Sequence, residues 1–61
     1  MMSDDDISEM SDEEIRIEYQ ALLANARKMT KGDTDRARKM LIANGDYSQS
    51  IVEEADKRGV S

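Results

Sequence analysis

Ile15, Tyr19, Leu22, Ala26 and Met29 recur at intervals of four, three, four and three residues, with Leu23 widening the line. That spacing keeps returning to one side of an α-helix and cannot follow the two-residue alternation of a strand. The start of the helix is written just before it. Ser11 with Glu14 three residues on is a Ser-x-x-Glu capping box, and Met10 and Ile15 stand at the two positions of a hydrophobic staple. Asp12, Glu13 and Glu14 fill the first turn, where the helix dipole favours negative charge. Arg27 and Lys28 occupy the last turn and Gly32 follows as a stop. A first helix over residues 12–29 is predicted.

The rest of the chain is divided by two further glycines. A second helix, 34–44, begins at Asp33 or Thr34 as cap, with Ala37, Met40, Leu41 and finally Asn44 inward, and Gly45 closes it. Asp46 then caps a third helix, 47–58, with Gln49 three residues on as a weaker capping box. Tyr47, Ile51 and Ala55 form its stripe, Val52 lies beside it, and Gly59 ends it with Val60 available for the contact that accompanies such a stop. The chain has no proline and no alternating apolar–polar run. The expected fold is all-α: a three-helix mini-bundle over residues 11–60, with short connections and about a dozen apolar side chains for its core.

Several function classes fall away on residue types. There is no cysteine or histidine, which removes disulfides, thiolate zinc sites and the commonest general base. Asp33/Asp35 and Glu53/Glu54 are paired carboxylates near helix ends on charged surface. A 61-residue chain has no cleft deep enough to raise their pKa values for acid catalysis. No calcium loop follows Asp33, so no enzyme, cofactor or metal site is expected. The longest apolar stretch, Met40-Leu41-Ile42-Ala43, is far short of the roughly 20 residues of a membrane span, and the acidic start is unlike a signal peptide. A cytoplasmic protein is expected.

Charge runs in blocks. Residues 1–18 hold eight acids against Arg16, a net of -7; residues 27–39 net +4; residues 46–61 net -2. Residues 1–10 are expected to form a disordered acidic tail, since such blocks bury too little apolar area to offset ordering. Two isoleucines stand off the predicted core: Ile17 opposite the stripe of helix 1, on the side of Ala21 and Ala24, and Ile42 between Arg38 and Lys39. An apolar residue rimmed by cations is a docking surface for an acidic protein. The candidate partner-binding residues are therefore Lys31, Arg36, Arg38, Lys39, Ile42 and Ile17. The alternatives are a nucleic-acid-associated regulator using the basic face of helix 2, or a homodimer through Ile17, Ala21 and Ala24.

Residues 30–59 resemble a ubiquitin-associated (UBA-like) three-helix domain, most of all the version at the N-terminus of bacterial elongation factor Ts. The likeness is carried by Asp35 with Met40 five residues on, by the turn Ala43-Asn44-Gly45-Asp46, by Ser50-Ile51, and by Gly59 just after helix 3. It implies a compact three-helix domain that binds protein without catalysis, a small regulator or adaptor in a bacterial or phage setting. Thr30-Lys31-Gly32-Asp33 stands where that family has a Gly-Ala-Gly-Met loop, Lys39 replaces a core alanine, and Glu54 replaces a large apolar residue. Neither nucleotide exchange nor ubiquitin binding is implied.

Overall fold

The capping signals at residue 11 act as their chemistry requires. In the computed structural model, which describes residues 7–61, α1 runs Asp12–Met29 with Ser11 as N-cap. The Glu14 N–H donates to Ser11 Oγ at 3.1 Å, and the Ser11 N–H reaches back to the Glu14 carboxylate at 3.4 Å. Two N–H groups that the helix leaves without partners are thereby satisfied. α2 (Thr34–Ala43) starts from Asp33, whose Oδ1 accepts the Arg36 N–H at 3.1 Å. α3 (Asp46–Arg58) follows after two residues. Each helix packs on both others, and no strand occurs among the described residues.

The turn between α2 and α3 differs from expectation. Asp46 is the first helical residue; the cap position belongs to Gly45, which makes no side-chain bond, while Gln49 donates to Glu53 instead. Gly45 has φ +115 and ψ -166, a region essentially closed to residues with a Cβ. A glycine here reverses the chain within two residues, which leaves no room for a separate cap. At the end of α3, Val60 N–H donates to the Ala55 carbonyl and Gly59 N–H to that of Asp56, with Gly59 left-handed at φ +72. This is a Schellman stop. Val60 packs against the core beside it.

The core is Ile7, Ile15, Tyr19, Leu23, Ala26, Ala37, Leu41, Ile51, Val52 and Ala55, with Met10, Leu22, Tyr47 and Val60 packed against it. Three expectations are corrected. Of the tail placed at residues 1–10, residues 1–6 lie outside the described residues, but Ile7 is 3% exposed and belongs to the core. Ile7 and Ser8 are helical and the Met10 N–H donates to the Ile7 carbonyl, so this stretch is ordered and contributes apolar area instead of remaining solvated. Met29 is the opposite case, at 69% exposed. A spacing of 3.5 residues slips by about 20° per seven on a 3.6-residue helix, so Met29 is turned about 40° from Ile15. The slip runs away from Tyr19 and Leu23, the buried side. Asn44, expected inward, is exposed at the C-cap of α2.

Ile7→Ala should lower the unfolding free energy by about 2–3 kcal/mol, as truncation of a buried isoleucine does. Met29→Ala should stay within about 0.5 kcal/mol of the parent chain. Urea unfolding followed by circular dichroism measures both, and equal effects would contradict this assignment of the core.

Candidate partner-binding surface

The geometry of α2 decides which of its cations are available. At roughly 100° per residue, Ala37 and Leu41 define the buried side, Arg38 falls on its flank, and Arg36, Lys39 and Ile42 point away. Arg38 is accordingly committed inward. Its Nη1 donates to Tyr19 Oη at 2.7 Å and its Nη2 to Asp56 Oδ2 at 2.6 Å, so one side chain of α2 holds α1 and α3 together. The guanidinium carbon also lies 5.8 Å from the Tyr19 ring centroid, near the limit of a cation–π contact, which makes the hydrogen bonds the stronger link. The expectation that Arg38 projects with Arg36 and Lys39 is thus corrected: the flank position brings it within reach of two partners.

Arg58 is held in the same manner. It donates to Glu54 at 2.8 Å, to Asp12 at 3.0 Å, and to the carbonyls of Met10 and Ser8 at 2.6 and 3.1 Å. Its side chain is 15% exposed. The last turn of α3 is thereby fastened to the segment before α1 and to the first turn of α1. Sequence reading missed this residue, although a signal was present. Seven positions after Ile51, Arg58 returns to the same side of its helix, and an inward cation implies a waiting acceptor. Tyr47 Oη donates to Glu18 at 2.9 Å and joins α3 to α1 a second time. Burial, then that carboxylate, pushes the Tyr47 hydroxyl pKa upward.

Among the described residues, Arg27, Lys28, Lys31, Arg36 and Lys39 have no ion-pair partner. Four of the predicted contact residues are exposed: Lys31 in the loop before α2, and Arg36, Lys39 and Ile42 on α2, the last at 42%. Exposed Met29, unanticipated as a surface residue, ends α1 next to that loop. Ile17, at 55% exposed, lies on the outer side of α1 with exposed Ala21 and Ala24, on a different element from the α2 residues.

The loop itself is strained. Lys31 has φ +58, the left-handed region that glycine or asparagine occupies at lower cost. The bond from the Gly32 N–H to the Arg27 carbonyl at 2.8 Å, with the Thr30 hydroxyl 3.1 Å from the Ala26 and Asp33 carbonyls, fixes this conformation. A lysine is therefore held at a rigid corner beside the other free cations.

A shallow groove beside Ile7 and Ser8, lined by Ser50, Glu53, Glu54 and Lys57, contains none of the predicted contact residues. No group of three metal-ligating side chains occurs among the described residues. No helix among them is long and apolar enough to cross a membrane. The chain matches no protein-family model, no curated protein and no solved structure.

Arg38 gives the site its pH dependence. Its hydrogen bond, followed by one from Ser61, holds the Asp56 carboxyl below the usual carboxylate range. A carboxyl that binds protons less readily when folded stabilises fully above the unfolded value of about 3.9, and loses that effect as pH falls through the lower folded value. Asp56→Asn should therefore melt below the parent chain near neutral pH, with the gap closing below about pH 4. A gap that persists in strong acid would show that Asp56 acts through packing and not through charge.

Proposed function

We propose that this chain is a non-catalytic protein-binding module, a small cytoplasmic regulator or adaptor that docks an acidic protein surface on the outer face of α2 and the loop before it. The observation that carries the reading is the sorting of cations. Arg38 and Arg58 are taken up by the fold, while among the described residues Lys31, Arg36 and Lys39 have no ion-pair partner, and Ile42 is exposed on the outer side of the same helix as Arg36 and Lys39. Free cations attract and orient an acidic partner, and an exposed apolar residue on the same outer face gives the contact its persistence. The likeness of residues 30–59 to UBA-like domains agrees with a role in protein binding, and the absence of cysteine from the sequence agrees with a reducing compartment.

Nucleic acid would use the same cations differently. Phosphate binding weakens steeply as salt rises, because it rests on counterion release. A contact centred on Ile42 should survive moderate salt.

Ile42→Asp should reduce capture of the protein partner from lysate at moderate salt by at least about tenfold, as loss of a central interface residue does. The helical circular dichroism signal should be unchanged. Loss of that signal would place Ile42 in the core. Retained material that is nuclease-sensitive, lost with salt and indifferent to the substitution would contradict the reading.

A further inference from the structure

The outer face of α1 has a charge order that a second copy of the same helix can match. At roughly 100° per residue, Ile15, Tyr19 and Ala26 centre the buried side, and the opposite line runs Glu13, Ile17, Ala24 and Lys28, with Ala21 at its edge. All five are exposed, Ile17 at 55%. Glu13 and Glu14 lie at the start of this face and Arg27 and Lys28 at its end. Asp12 and Glu18 do not count towards it, since Asp12 bonds Arg58 and Glu18 bonds Tyr47. Glu13 is held only at 3.8 Å by exposed Arg16, and Glu14 serves the Ser11 cap. Among the described residues neither Arg27 nor Lys28 has an ion-pair partner.

We infer that α1 pairs with α1 of a second copy of this chain, antiparallel about a two-fold axis that passes between residues 20 and 21. Turning one helix end for end about that point sets Ile17 against Ala24 of the second copy, and the symmetry makes this contact twice. The alanines at 21 and 24 let the two backbones approach closely enough to cover the isoleucine. Such an axis brings each flank of the face against the same flank of the other copy. Glu13 therefore meets Arg27, and Glu14 meets Lys28, each pair again formed twice. A parallel pair would set acid on acid at one end and base on base at the other, so the charge order selects the antiparallel dimer. Exposed ion pairs add little affinity, which leaves Ile17 as the side chain that holds the contact. One pair of 18-residue helices, about 27 Å long, makes a small interface, and the dissociation constant is on the order of micromolar or weaker. This face shares no residue with the α2 surface, so the inference does not rest on the reading of that surface.

Sedimentation of the full chain, over roughly a hundredfold range of concentration up to about 1 mM, tests it. The mean mass should rise from the 6.9 kDa monomer towards twice that value and stop there, because a two-fold contact closes. Ile17→Asp should raise the dissociation constant at least about tenfold with unchanged circular dichroism. Ala21→Glu, which sets two like charges together across the axis, should do the same and serves if Ile17→Asp loses its helical signal. Ile42→Asp should dimerise as the parent chain does. The sequence has no cysteine, so single introduced ones report the orientation. Under mild oxidation Ala21→Cys, beside the axis, should give a disulfide-linked dimer, whereas Glu13→Cys lies about 22 Å along the helix from its counterpart and should not. A parent chain that is monomeric throughout would overturn the inference, as would a mass that climbs past the dimer. Equal linkage of the two cysteine variants would overturn it in favour of a parallel pair, and loss of the dimer in Ile42→Asp would overturn it by moving the contact to α2.

Discussion

The hydrogen bonds of Arg38 to Tyr19 and Asp56 are the link on which the arrangement of the helices depends. α2 has ten residues, fewer than an isolated helix needs to persist in water, and Ala37 and Leu41 are its buried side chains. Two apolar contacts, one of them an alanine, fix the rotation of a short helix poorly. A charged fork on the flank, bonded to α1 on one side and to α3 on the other, sets it. Once α2 is held at that angle, Lys39 and Ile42 have no choice but to face outward.

Arg58 does for the N-terminal side what Arg38 does for α2. Its guanidinium takes two main-chain carbonyls between Ile7 and α1, and so holds Ile7 where it can cover the core. Both arginines sit where a lysine could not serve, since each bonds several acceptors at once through a planar, forked group. In a chain with no disulfide to close it, these two side chains supply cross-links that the thin apolar core does not.

How much of this was legible in the sequence follows from the range of each interaction. The start of α1 could be read because Ser11 and Glu14 satisfy each other within one turn. The stop of α3 could be read because Gly59 and Val60 act on the turn before them. The all-α class followed from the same local signals. Met29 was misplaced because a small angular slip accumulates over four turns, and the sequence does not state where the centre of the buried face lies. Ile7 was misplaced because its burial needs Arg58, about fifty residues away, to hold the adjoining carbonyls. The candidate contact residues were named from charge and helical spacing alone, and the separation of Arg38, taken up by the fold, from exposed Lys39 needed the positions of Tyr19 and Asp56.

The central claim is that neighbouring cations on α2 have different tasks, Arg38 holding the fold and Lys39 meeting the partner. Comparing Arg38→Gln with Lys39→Gln, in thermal melting and in capture of the partner, tests it directly. The account predicts a clean division: Arg38→Gln lowers the melting temperature, while Lys39→Gln melts with the parent chain and weakens capture. Equal losses of stability in the two variants, or full capture by Lys39→Gln, would contradict it.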